Sequence, residues 1–103
     1  MTANATQQVH LDRSVLASFC QSHHIRRLAL FGSQLKGTAG PDSDVDLLVE
    51  FDPAHMPGLL AVAAMELELS DIVGRKVELR TARDLSKHFR DEVVRTAEVR
   101  YAA

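Results

Sequence analysis

The sequence predicts an α/β domain in which helices pack against one small mixed β-sheet, in the order α-β-α-β-α-β-α. Three observations predict it. Segments 25–31, 44–51 and 76–80 have strand length and are rich in Val, Leu, Ile and Phe. Between and around them, apolar residues recur at spacings of three and four, the period of a helix with one buried face. Short stretches of Gly, Pro, Ser and Asp separate the two kinds of segment.

Residues 1–9 are polar and read as a flexible N-terminus; residues 10–103 read as a single domain. From His10 to His23, the positions Leu11, Val15, Leu16, Phe19 and Cys20 form an amphipathic helix, with Asp12 or Ser14 near its start. Ile25–Phe31 is a strand whose second half is apolar on both faces, as in a sheet with both faces covered. Gly32-Ser33 ends it, and Ser33 starts a short helical turn through Lys36. A second strand runs from Asp44 to Phe51 and closes at Asp52-Pro53, because proline cannot donate to a ladder.

A helix over 59–73 follows, with Gly74 as its C-terminal cap. Its Met and Leu stripe reads as core. Lys76–Arg80 is a third strand, with Val77 and Leu79 on one side and Glu78 and Arg80 on the other. The tail from Ala82 to Tyr101 carries Leu85, Phe89, Val93, Ala97 and Tyr101 at helical spacing and reads as a last helix.

Composition narrows the function. The chain of 103 residues has 12 Lys+Arg against 14 Asp+Glu, a net charge of −2, which argues against direct nucleic-acid binding through a basic face. The single cysteine, Cys20, suits a reducing, cytoplasmic setting and reads as a small core residue. No apolar window reaches the ~20 residues of a membrane span. The histidines at 23, 24 and 88 have no zinc-like spacing and read as surface.

The informative stretch is Gly32-Ser33, a polar connection, then Ser43-Asp44-Val45-Asp46-Leu47-Leu48-Val49. Side chains two apart on a strand share a face, roughly 6–7 Å apart, so Asp44 and Asp46 point the same way. Two such carboxylates repel unless a cation lies between them, and a pair of Mg²⁺ ions would remove the repulsion. A Gly-Ser at a strand-to-helix turn offers backbone N–H groups and a hydroxyl, which suit a phosphate. Glu78, mid-strand, has the alternation to supply a third carboxylate. Two metals held by three acids are the apparatus of in-line displacement at phosphorus.

Other acidic or glycine-rich motifs fit less well. Asp42, Asp44 and Asp46 match the first calcium positions of an EF-hand loop, but Leu47 and Pro53 stand where glycine and glutamate belong. Gly32 and Gly37 have Walker spacing but are followed by Thr38 rather than Lys-Ser or Lys-Thr. By residue type alone, Asp44 also reads as a loop-to-strand cap and Asp46 as part of an exposed strand face.

With these residues in view, the pattern resembles the signature of the DNA polymerase beta superfamily, glycine-serine followed by aspartate-x-aspartate. The short length and the Gly74-Arg75-Lys76-Val77 entry to the third strand are similar to its smallest members, the minimal nucleotidyltransferases. The resemblance spans roughly residues 10–101. It implies the nucleotidyltransferase fold, with Gly32, Ser33 and Lys36 on the triphosphate of a nucleoside triphosphate. It implies Asp44, Asp46 and Glu78 as catalytic, Mg²⁺-binding acids, with ATP as substrate. It also implies a protein partner, a HEPN-domain ribonuclease toxin, to which AMP is transferred on a tyrosine; the alternative is an antitoxin that acts by binding alone. Glu78 departs from the usual aspartate by one methylene. Lys36 departs from a frequent arginine, with Arg80 and Arg83 as alternative phosphate partners.

Overall fold

The computed structural model describes residues 11–32 and 44–103. The polar lead-in at 1–9 and the helical turn expected at 33–36 lie outside these residues. The described elements run α1 (Arg13–Ser22), β1 (Ile25–Phe31), β2 (Val45–Phe51), α2 (Leu59–Val73), β3 (Val77–Arg80), α3 (Arg90–Thr96) and β4 (Glu98–Ala102). Single 3₁₀ turns at Pro53–His55 and Ala82–Asp84 punctuate the connections.

The sheet has the order β3-β2-β1-β4. β1 is antiparallel to both β2 and β4, whereas β2 and β3 are parallel and joined through α2. The sheet is therefore mixed, as expected. Alternation along β2 decides its faces: Val45, Leu47, Val49 and Phe51 are buried, while Asp46 and Leu48 are half-buried and Glu50 is exposed. The buried set joins Leu28 and Leu30 of β1, Leu16, Phe19 and Cys20 of α1, and Met65 and Leu69 of α2 in one core. Both long helices thus cover the same face. The opposite face carries the acids.

Helix α1 starts where Asp12 accepts a hydrogen bond from the Val15 N–H at 3.1 Å, so Asp12 rather than Ser14 is the cap. Helix α2 ends at Gly74, whose φ of +81° is the left-handed conformation of a glycine cap.

Two expectations are corrected. The last helix is not one helix: α3 stops at Thr96, Ala97 turns extended, and Glu98–Ala102 becomes β4. β1 has β2 on one edge only, and β4 satisfies the backbone groups on the other. That tertiary demand outweighs the i, i+4 spacing of Val93, Ala97 and Tyr101. The α2 stripe is also not all core. Val62, Met65, Leu69 and Val73, spaced by three and four, lie against the sheet, while Leu59 and Leu60 are 90% and 88% exposed. A sheet of four short strands shared with α1 accommodates only one stripe of α2.

Cys20 is fully buried, and burial pushes its thiol up to about 12. Native protein at pH 8 is expected to resist iodoacetamide, and denatured protein to take one carbamidomethyl group by intact mass. Rapid native alkylation would contradict this packing.

Candidate active site

Pairing in the sheet assembles the acids. Asp46 sits opposite Phe31 of β1 on one side and opposite Glu78 of β3 on the other. Gly32 follows Phe31 directly, at φ +80°. A Cβ built on Gly32 would lie 2.6 Å from Asp46 Oδ2, so the glycine is pressed against that carboxylate. One row across three strands therefore holds Gly32, Asp46 and Glu78. Asp44, just before β2, lies within interaction range of both Asp46 and Glu78.

The outer edge of the row is held by α2. β3 is an edge strand, and its outward Val77 N–H donates to Ser70 Oγ at 2.9 Å. Its Leu79 N–H donates to Glu66 Oε2 at 2.7 Å. These two bonds bracket Glu78 and blunt the free edge. Neither Glu66 nor Ser70 stood out in the sequence, although both are polar positions four apart on a mostly apolar helix that also carries Glu68 and Asp71. Ser70→Ala leaves the half-buried Val77 N–H without its partner and is expected to cost about 1–2 kcal/mol in urea denaturation. An unchanged midpoint would show that this bond does not hold β3.

The electrostatics follow from crowding. Burial raises the Asp46 carboxyl above its ordinary range, the Asp44 charge raises it further, and Arg80 partly opposes both. Glu78 is raised chiefly by its hydrogen bond with Asp44, then by burial and by the charges of Asp46 and Asp44; Arg80 pulls the other way. Arg80 Nη2 donates to Glu78 Oε1 at 2.6 Å.

Of the residues expected to form the site, Gly32, Asp44, Asp46 and Glu78 come together; Ser33 and Lys36 lie outside the described residues. Arg80 joins the acids through Glu78. Arg83 lies farther along the same side, in the 3₁₀ turn after β3.

Among the described residues, no three acid, histidine or cysteine side chains converge into a ready metal cage. The donor set still suits Mg²⁺, which takes one or two carboxylates and completes its shell with water and substrate phosphate oxygens. Asp44 and Asp46 would supply those carboxylates, with Glu78 beside them. A divalent charge there would offset the like-charge repulsion that adds to the raised titration of Asp46 and Glu78.

Residues 13–101 match the nucleotidyltransferase domain family. The chain is 40% identical over 55 residues to the protein adenylyltransferase MntA of Thermococcus cleftensis, covering 53% of this chain and 54% of that one. It thus spans about half the length of that relative. A structure described as a candidate minimal nucleotidyltransferase matches with a TM-score of 0.67 and 36% identity, over 82% of this chain and 85% of the other.

Two further structures share the fold. One is a toxin–antitoxin pair with AMP-PNP (TM-score 0.71, 21% identity, 90% of this chain and 75% of that chain). The other is a tri-AMPylated Shewanella oneidensis HEPN toxin in complex with an MNT antitoxin (TM-score 0.63, 18% identity, 88% and 70%). An α/β sheet with an acidic row beside a glycine turn defines the class, and the chain belongs to the nucleotidyltransferase domain family.

Proposed function

We propose that this protein transfers AMP from ATP, with Mg²⁺, to a tyrosine of a HEPN ribonuclease toxin and so acts as its antitoxin. The observation that carries the reading is the row of Gly32, Asp46 and Glu78 with Asp44 beside it. The protein adenylyltransferase name of the Thermococcus relative supports the chemistry, and the AMPylated HEPN toxin complex supports the partner. Mg²⁺, when bound, neutralises phosphate charge and aligns the entering and leaving oxygens.

Asp44 and Asp46 hold that charge at the α-phosphate. Gly32, lacking a Cβ, lets the triphosphate approach the backbone next to Asp46, with Ser33 and Lys36 assigned to the same triphosphate. Glu78 lies on the side from which the acceptor enters. The tyrosine oxygen bonds to the α-phosphorus, the bond to the β-phosphate oxygen breaks, pyrophosphate leaves, and the phenolic proton passes to solvent.

Supplying ATP labelled at the α- or the γ-phosphate tests this. Label is expected on the HEPN partner from the α-position only. Label from the γ-position would replace nucleotidyl with phosphoryl transfer, and label on RNA would replace the acceptor.

One observation favours a second reading, an antitoxin that only binds: the Glu78 carboxylate is engaged by Arg80. Glu78→Gln separates the two. Catalysis predicts a rate lower by about 10²-fold, with Glu78→Asp retaining more activity than the amide. Equal rates for wild type and Glu78→Gln would remove Glu78 from the machinery.

A further inference from the structure

The two hydrogen bonds from β3 to α2 flank Glu78, and the helix joins them to each other. Ser70 Oγ donates its proton to the Glu66 carbonyl oxygen at 2.7 Å, which leaves its lone pairs for the Val77 N–H at 2.9 Å. The Glu66 side chain reaches the other flank, where Oε2 accepts from the Leu79 N–H at 2.7 Å. The bonds thus run Leu79, Glu66, Ser70, Val77, and the ring closes through the backbone of Glu78.

Two periods make this fit. Four residues of helix rise about 6 Å and two residues of parallel strand about 6.6 Å, so acceptors four apart on α2 match donors two apart on β3. Glu66 takes Leu79 and Ser70 takes Val77, the reversed order of a helix antiparallel to its strand. On the inner side the Val45 N–H donates to the Lys76 carbonyl at 2.8 Å, and Asp46 pairs with Glu78.

We propose that Glu66 and Ser70 are positioning residues for AMP transfer, holding the β3 backbone so that the Glu78 carboxylate stays in the row with Asp46. The role rests on the nucleotidyl-transfer reading above, in which Glu78 takes part. β3 has four residues and lies at the sheet edge, with β2 alone beside it. A rotation of such a strand about its axis is amplified at the end of a long glutamate side chain. Arg80, held on Glu78 Oε1 at 2.6 Å, draws that side chain along the strand, away from Asp46. The α2 bonds resist both movements, and neither Glu66 nor Ser70 needs to touch substrate.

Steady-state AMP transfer from Mg-ATP to the HEPN partner tests this, with circular dichroism confirming the fold of each variant. Glu66→Leu is expected to lower kcat about tenfold with the KM for ATP unchanged. Ser70→Ala lowers kcat in the same sense, and Glu66→Gln, which keeps an accepting oxygen, stays close to wild type. In a Glu78→Gln background, Glu66→Leu is expected to bring no further loss, because no carboxylate remains to be placed. Amide exchange reads the bonds themselves: Leu79 loses protection in Glu66→Leu, and Val77 in Ser70→Ala.

Equal losses from Glu66→Leu in the two backgrounds would show general support of the fold and overturn the positioning role. So would wild-type kcat in both folded variants, a raised KM with kcat unchanged, or an unchanged Leu79 exchange rate in Glu66→Leu. Glu78→Gln at the wild-type rate overturns the role of Glu78, and this proposal with it. Wild type that transfers nothing overturns the nucleotidyl-transfer reading itself.

Discussion

Asp44→Asn combined with Asp46→Asn is expected to reduce AMP transfer by about 10³-fold or more while the protein keeps or gains thermal stability. The two effects have opposite signs for one reason. In the folded protein the Asp46 carboxyl is raised above its ordinary range, first by burial and then by the Asp44 charge. A group whose folded pKa is raised is ionised at neutral pH at the expense of the fold, so a neutral isostere relieves a cost. The same substitution removes the carboxylates that would hold Mg²⁺ against the phosphate. Melting curves near pH 7, set beside transfer rates, check both halves. A lower melting temperature with intact transfer would show that the pair supports the fold rather than the chemistry.

Gly32→Ala is the second large effect, and it acts through backbone and neighbour together. At φ +80° an alanine costs about 1–2 kcal/mol relative to glycine. Its Cβ, built in place, stands 2.6 Å from Asp46 Oδ2, well inside contact distance. Either the turn or Asp46 must shift. A displacement of about 1 Å at a catalytic carboxylate is enough for on the order of 10²-fold in rate. The expected result is a modest loss of stability with a disproportionate loss of transfer, and with weaker Mg-ATP binding by calorimetry. A variant that loses stability alone would confine Gly32 to a turn role.

How much of this was legible in the sequence differs by element. The period of two along β2 placed Asp46 on the face away from the core, because a strand that buries Val45, Leu47 and Val49 has no other choice, while Asp44 lies just before the strand. Helix α2 was legible to the residue, since apolar spacing and the Gly74 cap agree on its end. β4 was not. Phe89, Val93, Ala97 and Tyr101 fit a helix as well as the observed break, and only the unpaired edge of β1 selects the strand. The alternation of Val99 and Tyr101 with charged Glu98 and Arg100 was the available signal.

Within the site, residue types were readable and cross-strand register was not. Nothing local in the chain says that Asp46 lies opposite Phe31 and Glu78, or that Gly32 presses on Asp46. The Arg80–Glu78 ion pair has a plain local origin, because residues two apart on β3 share a face. Its consequence, that Arg80 opposes the raised titration of both Asp46 and Glu78, needed the register. The clamp of Glu66 and Ser70 on the β3 edge joins two separate elements and exists only in the fold.

The most direct test of the central claim is the intact mass of the HEPN partner after incubation with this protein, Mg²⁺ and ATP. The expected result is a gain of one or more AMP units, absent with the Asp44→Asn, Asp46→Asn variant and absent when chelator removes Mg²⁺. A partner of unchanged mass, neutralised equally well by wild type and by that variant, would contradict catalysis and leave binding as the function.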